Sequence, residues 1–343
     1  MTAIEETSRT QMAAQMNAMV YTRYGGPEVL HLEEVARPTP ADGEVLVQVH
    51  ASSANPADWH IMRGEPFLAR LQMGLRRPKL AILGGDVAGR VESVGRGVTR
   101  FQPGDEVFGD LFGGQQFGGF AEYAVTSEAS LVPKPSNVSF EEAAAVPLAG
   151  LTALQAVRER GAVQPGQRVL INGAAGGVGT FAVQLAKHFG AEVTGVCSTR
   201  NLELVRSIGA EHVIDYTEED FTRDGQRYDV IVDAVGNRSA SDYKRALGPG
   251  GICTIVGYTN VGRLFRHILL GPLSSLIGSR RIGLMGTVKP NAADLEFMRE
   301  RLAAGDVVPV IDRSYPLNEL PEAIGYLEEG HARGKVVIAV RAG

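Results

Sequence analysis

The sequence predicts a two-domain α/β chain in which a doubly wound parallel sheet is inserted into a smaller β-rich domain. Three observations carry this expectation. From Met19 to about Leu131 short alternating strands are punctuated by Gly/Pro turns. Beyond Pro147 strands alternate with amphipathic helical segments. Within that second stretch one strand runs directly into a glycine-rich turn and a helix. The boundaries that follow are an N-terminal extension over 1–17, a β-rich domain over 18–145, the parallel-sheet domain over 146–287 and a C-terminal return to the first domain over 288–343.

Taken in order, Val45–Val49 and Ala88–Val94 show the period-two alternation of half-buried strands. Gly26-Pro27, Asp42-Gly43 and Pro103-Gly104-Asp105 supply turns, and Phe112–Phe120, with four glycines and two glutamines, reads as a loop near a surface or cleft. Gly85-Asp86 reads as a further turn. In the second domain the strand candidates are Val169–Asn172, Val193–Cys197, Val213–Asp215, Val230–Val235 and Ile252–Val256. A helix starts near Val178, because Phe181, Ala182, Leu185, Ala186 and Phe189 share one face. The last segment predicts a helix over 292–304, a strand over 307–311, a helix over 318–328 and a strand over 336–340. These elements are too few for a third domain, so they complete the first.

The chain has 343 residues, 44% hydrophobic and 21% charged, which is ordinary for a soluble enzyme. A formal net charge of -5 offers no broad basic field, so nucleic acid is not an expected partner. Glycine is enriched, at 42 residues, but is scattered among loops and forms no repeat. Cys197 and Cys253 are the only cysteines and neither belongs to a CxxC pair, so count alone excludes a structural zinc lobe or disulfide framework; both lie in strand-like runs and read as small buried hydrophobes. No apolar signal region opens the chain, and the longest apolar run, Leu264–Ile277, is broken by Arg266, His267 and Gly271-Pro272. The expectation is a cytoplasmic enzyme without a membrane span.

The informative motif is Asn172-Gly173-Ala174-Ala175-Gly176-Gly177-Val178-Gly179, between a strand and a helix. Glycines let the backbone approach a pyrophosphate, and the helix N-terminus presents free N–H groups and a positive dipole end. Ala174 departs from a strict GxGxxG, while Gly176 and Gly179 keep the spacing. This is the phosphate turn of a Rossmann domain. The tip of the second strand reads Cys197-Ser198-Thr199-Arg200-Asn201, without an acid until Glu203. A carboxylate there would favour NAD; Ser198 and Arg200 instead suit a 2′-phosphate, so NADPH is the expected cofactor. Arg200 as a solvated residue ahead of a helix is the alternative.

On these motifs, together with Ser53–Asp58, Leu83–Gly89, Gly104-Asp105-Glu106-Val107, Gly150-Leu151-Thr152-Ala153, Asp215-Tyr216 and Gly334-Lys335-Val336-Val337, the chain resembles the zinc-independent, quinone oxidoreductase-like branch of the medium-chain dehydrogenase/reductases. The match spans about Met19 to Val340. The resemblance implies a GroES-like catalytic domain interrupted by a Rossmann domain, with the active site in the cleft between them. It implies that Asn55 lies beside the nicotinamide, that Thr152 contacts cofactor, and that Tyr216 lines the 2′-phosphate pocket with Ser198 and Arg200. The cofactor-binding set expected here is Asn55, Thr152, Ala174, Gly176, Gly177, Val178, Ser198, Arg200, Tyr216, Gly257 and Lys335. Lys335 reads equally as a cofactor contact or a solvated lysine at a strand start. Trp59 and His60 read as partly buried structural aromatics, with a substrate-facing role as the alternative. Where zinc-dependent members place Cys, His and Cys, this chain has Asn55, Gly85 and Pro147, none of which replaces thiolate or imidazole. No metal is expected.

The function that follows is hydride transfer from NADPH to a quinone or an α,β-unsaturated carbonyl, a small electrophilic substrate, with Asn55 positioning nicotinamide or acceptor and no general acid assigned. A homodimer is the expectation from the resemblance. A 2-enoyl thioester reductase is the alternative enzyme, with Arg263, Arg266, Arg280 and Arg281 as the charged entry for a carrier phosphate. A non-catalytic NADPH-binding or redox-sensing protein is the alternative of another class.

Overall fold

The computed structural model describes residues 14–67, 70–112, 117–258, 262–263 and 279–341. Strand β1 (Gln15–Val20) pairs antiparallel with β2 (His31–Ala36). It begins inside the segment expected to be an extension. Met16, Ala18 and Val20 alternate inward against Ala121 while Gln15 and Asn17 face out, which makes those residues a strand.

The first large sheet is built on the long strand β3 (Glu44–Ala54). Its outer partners are β4 (Asp86–Val94), β5 (Glu106–Asp110), β6 (Tyr123–Ser127) and β7 (Leu131–Pro133). Val45, Val47 and Val49 of β3 bury against Val87, Val91, Val107 and Leu131, the apolar half of the alternation read from the sequence. Asp86 opens strand β4 and is fully buried, so the expectation of a turn at Gly85-Asp86 is corrected: its carboxylate finds partners inside the molecule.

The second sheet is wholly parallel: β8 (Arg168–Asn172), β9 (Glu192–Cys197), β10 (His212–Asp215), β11 (Tyr228–Asp233), β12 (Leu247–Ile255) and β13 (Arg281–Leu284). Its spatial order, β10-β9-β8-β11-β12-β13, reverses direction between β8 and β11. In open parallel sheets a ligand crevice lies at that switch point, outside the C-terminal strand ends. Helix Gly177–His188 follows β8 and buries Phe181, Ala182, Leu185 and Ala186.

After the helix Ala292–Ala304 the chain rejoins the first sheet through β14 (Ile311–Pro316) and β15 (Lys335–Ala339), and β15 pairs antiparallel with the C-terminal half of β3. The strand expected over 307–311 instead starts at Ile311. Pro309 has no N–H, the Val307 amide closes back on Arg301, and that of Val308 is taken by the Gln184 side chain. The helix expected over 318–328 opens as a 3₁₀ turn, Leu317–Glu319, ahead of helix Leu320–Glu328. Among the described residues, no helix is long and apolar enough to cross a membrane. The apolar run Leu264–Ile277 lies outside the described residues, apart from which Cys197 and Cys253 are buried and free as expected.

Candidate active site and dinucleotide crevice

At the end of β8 the chain turns through Gly173, whose φ of 83° suits glycine, and the amides of Gly173 and Ala174 both donate to the Val196 carbonyl. Ala174 is fully buried in the core. Its N–H is therefore committed to the fold, which removes it from the phosphate contacts expected of it. The two spaced glycines have different reasons. A Cβ on Gly179 would lie 2.0 Å from the Gly173 carbonyl oxygen, so the helix can pack on the turn only without a side chain. A Cβ on Gly176 would meet nothing closer than that oxygen at 3.5 Å. The space at Gly176 is open to a ligand, and the amides of Gly177, Val178 and Gly179 form the first turn of the helix, where N–H groups lack intrahelical partners. These features fit a dinucleotide pyrophosphate.

Ser198, Thr199, Arg200, Tyr216 and His331 line a cavity of about 320 Å³ beside the tip of β9. It brings together three residues that the sequence assigned to the 2′-phosphate and adds a fourth element from the catalytic domain. The Arg200 guanidinium donates to the His331 carbonyl at 2.9 Å, and Arg333 Nε donates to Asn201 Oδ1 at 2.9 Å. Asp215 also stands here, paired in register with Cys197. Hydrogen bonds from the Thr199 and Thr217 hydroxyls hold its carboxyl below the usual range, so it is an ionised group already engaged by its neighbours. Strand pairing put this acid beside the pocket, where sequence order along β9 alone did not.

The catalytic-domain half is a buried polar cluster. Asn55 caps helix Pro56–Arg63; its backbone N–H donates to Asp58 Oδ2 at 2.8 Å, and the Gly84 amide donates to Asp58 Oδ1 at 3.1 Å. Asn55 Nδ2 donates to Asp86 Oδ2 at 2.8 Å, and the Leu148 amide donates to Asp86 Oδ1 at 2.8 Å. Ser53 Oγ also donates to Asp86. Lys335 reaches in from the start of β15, donating to Asn55 Oδ1 with its Nζ 3.6 Å from Asp86. At 3% exposure Lys335 is not a solvated strand-start lysine. Its aliphatic chain passes the phosphate turn: a Cβ on Gly177 would lie 3.2 Å from Lys335 Cδ. Burial pushes the Asp58 carboxyl up to about 7, against the two amides that favour its charge, and burial lowers the Lys335 ammonium against the pull of Asp86 and Asp58. Thr152, on helix Pro147–Leu154, donates its hydroxyl to the Leu148 carbonyl at 2.6 Å, so its oxygen keeps only acceptor capacity.

At the switch point the structure adds a residue absent from the sequence reading. Asp233, fully buried at the end of β11, accepts from Asn172 Nδ2 at 2.9 Å and from the Val235 and Gly236 amides at 2.8 and 2.9 Å. The Tyr243 hydroxyl donates to its other oxygen. This network shapes the loop facing the crevice. The available signal was the pair of polar strand ends, Asn172 and Asp233, which lie side by side in register. Gly257 stands where the end of β12 crosses that loop, and a Cβ on it would be 2.2 Å from the Ala234 carbonyl oxygen. Close backbone packing is enough to require this glycine.

Residues 41–136 match the family described as an alcohol dehydrogenase GroES-like domain, and residues 208–338 match one described as a zinc-binding dehydrogenase. A chloroplast envelope quinone oxidoreductase homolog of Arabidopsis thaliana is 36% identical, over 94% of this chain and 98% of its own length. A 2-methylene-furan-3-one reductase of Solanum lycopersicum is also 36% identical, over 98% of this chain and 82% of its own length. The structure of the quinone oxidoreductase from Coxiella burnetii superposes with a TM-score of 0.83 at 31% identity, covering 96% of this chain and 100% of that one. The chain belongs to the medium-chain dehydrogenase/reductases, in the quinone oxidoreductase-like branch. Membership of this family indicates a nicotinamide cofactor, and the glycine turn and strand order fit a dinucleotide in the crevice.

In this medium-chain reductase the donor set does not fit the zinc that one matching family's description mentions. Asn55 has its carboxamide spent on Asp86, the Ser53 carbonyl and Lys335, Gly85 has no side chain, and Pro147 opens a helix. Among the described residues there is no group of three or more His, Cys, Asp or Glu placed to hold a metal. The arginines offered as a carrier-phosphate entry also fall elsewhere. Arg280 donates to the Leu247 and Gly248 carbonyls at the N-terminal end of β12, and Arg281 starts β13, at the sheet end opposite the crevice. Arg263 donates to the Asn237 carbonyl, and Arg266 lies outside the described residues.

Proposed function

We propose that this protein is an NADPH-dependent reductase of quinones or α,β-unsaturated carbonyls that works without zinc. The observation that carries the reading is that Asn55, at one of the three positions where zinc-dependent members hold their metal, is committed to a buried cluster with Asp86 and Lys335. Alcohol oxidation in the zinc-dependent members uses the metal as a Lewis acid to acidify the hydroxyl. A site lined by a carboxamide and an ion pair instead suits an acceptor that is already electron-poor. When bound, NADPH supplies the hydride from C4 of its nicotinamide. The chain supplies orientation: Gly176, Gly177 and Val178 at the pyrophosphate, Ser198, Arg200 and Tyr216 at the 2′-phosphate, Asn55 and Thr152 towards the nicotinamide. The Asn55 carboxamide is oriented by the Ser53 carbonyl, Asp86 and Lys335, and the proton that completes the reduction comes from solvent.

Relatives named for quinone, furanone and alkenal/one reduction support this acceptor class. We further infer a cytoplasmic homodimer that acts on small electrophiles and not on nucleic acid. The test is NADPH oxidation screened across quinones, enones and enoyl thioesters, with and without a chelator. Turnover with the first two groups, indifferent to the chelator and without stoichiometric zinc by elemental analysis, is expected. Tight NADPH binding without turnover on any acceptor overturns the reading in favour of a sensor.

A further inference from the structure

Residues 66–85 carry Arg70, Arg76, Arg77 and Lys79 and not one Asp or Glu, in a chain with 39 acids among 343 residues. The same stretch is apolar at Phe67, Leu71 and Leu75, a four-residue spacing about the short helix Arg70–Met73. The structure leaves these three side chains in the open, at 63%, 67% and 55% exposure. The other large apolar side chains exposed among the described residues, Leu32, Tyr216 and Val308, are scattered over other elements. Arg76, Arg77 and Lys79 are exposed as well, and none of them enters an ion pair among the described residues. The backbone that presents them is tied down. Arg70 donates to the Gly64 and Arg63 carbonyls at 3.1 and 2.9 Å and lies over the Tyr24 ring. The Tyr24 hydroxyl donates to the Gly74 carbonyl at 2.6 Å, and the Lys79 amide closes on the Met73 carbonyl at 2.8 Å. Met73 packs against the core cluster that holds Tyr21 and Met62. Polar groups are thus spent inward while large apolar ones face water, which marks an interaction surface.

We propose that Phe67, Leu71, Leu75, Arg76, Arg77 and Lys79 dock the protein on an anionic lipid bilayer. The Phe and Leu side chains enter the boundary between headgroups and acyl chains, and the three cations meet lipid phosphates. A protein partner would offer carboxylates at fixed places, and lysine is depleted at the centre of such interfaces. A bilayer is anionic throughout, which suits a cluster of one sign interleaved with apolar side chains. The formal net charge of -5 repels the rest of the chain from that surface, so charge also selects this face for the approach. No described helix is long and apolar enough to cross a membrane, so the protein lies on the bilayer and leaves it reversibly.

The proposal is independent of the reaction, and its test needs no acceptor. The protein is sedimented with vesicles of phosphatidylcholine and phosphatidylglycerol in equal parts, and with phosphatidylcholine alone, at low and high salt. At low salt, partitioning onto the mixed vesicles should be stronger by at least about tenfold, and it should weaken as salt screens the headgroups. Arg76→Gln/Arg77→Gln should lose about tenfold to thirtyfold on the mixed vesicles. Leu71→Ser/Leu75→Ser should lose about tenfold with its charge unchanged. Melting temperatures close to wild type show that the variants fold; if the leucine variant does not, Phe67→Ser takes its place with the same expectation. No sedimentation of wild type with either vesicle overturns the proposal. Binding that both variants retain also overturns it, because another surface then holds the lipid. A protein that ignores lipid but forms a larger oligomer, broken by the leucine variant, overturns it in favour of an interface between copies of this chain.

Discussion

Lys335 enters the core with its ammonium 3.6 Å from Asp86 and its aliphatic chain beside Gly177. Removing one partner from a buried charge cluster costs about 3–5 kcal/mol, because the other is left uncompensated. Lys335→Met is therefore expected to destabilise the protein by that amount in a denaturant titration, and Asp86→Asn in the same chain should recover part of it. Simple additivity of the two losses would show that they do not act as a pair. Arg200 is a different case, exposed at the cavity edge with its guanidinium on the His331 carbonyl. A charge-assisted hydrogen bond is worth roughly 1.5–3 kcal/mol, so NADPH should bind more than about tenfold tighter than NADH. Arg200→Glu should narrow or reverse that preference, since it adds a second carboxylate near Asp215. Equal affinities in the wild type would show that Arg200 serves only the contact with His331.

The strand–turn–helix element over 168–188 separates two uses of glycine. Gly179 is required by the fold, because any side chain meets the Gly173 carbonyl oxygen at 2.0 Å. Gly176 has room within the protein and an ordinary φ of -80s type, -84°. Gly179→Ala is expected to lower the melting temperature clearly, whereas Gly176→Ala should leave it nearly unchanged and weaken NADPH binding. A stable Gly179→Ala would overturn the packing reason for that glycine, and full affinity in Gly176→Ala would remove the phosphate from this turn. Gly177 is intermediate. A branched side chain there would crowd Lys335, so Gly177→Val should disturb both the turn and the buried cluster.

At the scale of the whole molecule the two sheets share one apolar core. Ala51, Ala88, Phe108 and Val132 of the first domain belong to the same cluster as Val169, Phe181, Val193 and Val230 of the second. Helices Phe140–Ala144, Pro147–Leu154 and Ala292–Ala304 connect them. The domains should therefore unfold together, and their joint response to acid includes His50. Its ring stacks on Phe140 at 4.2 Å with both nitrogens buried and unpartnered, and desolvation lowers its pKa from the ordinary 6.5. Below 6.5 the unfolded chain takes up this proton before the folded one does, so stability falls as pH drops through that window. His50→Leu should flatten this part of the profile in chemical denaturation at a series of pH values. An unchanged slope would assign it to other groups.

The class of fold and the place of the cofactor were determined by the sequence itself, for a physical reason. Hydrophobic period and turn chemistry are local, so β8, the glycine turn and helix Gly177–His188 could be read from neighbours along the chain. The same holds for the period-two strands around Val45–Val49 and Ala88–Val94. Boundaries failed where a long-range partner decided them. Gln15–Asn17 become strand by packing on Ala121, and Val307–Pro309 stay out of a strand because the Gln184 side chain takes an amide there. The site shows the same division. Gly176, Ser198, Arg200 and Tyr216 announced themselves by spacing and by family resemblance, but what faces them did not. Asp86 looked like a turn residue, Lys335 could be placed either way, Asp233 showed only as a polar strand end, and Asp215 stood in a motif without a role of its own. Each is decided by strands distant in sequence: β15 folding back on β3, β10 lying beside β9, β11 beside β8. A buried charge has no periodicity of its own. Only the tertiary structure brings Asn55, Asp86 and Lys335 within hydrogen-bonding reach, and with them the environment that defines this site.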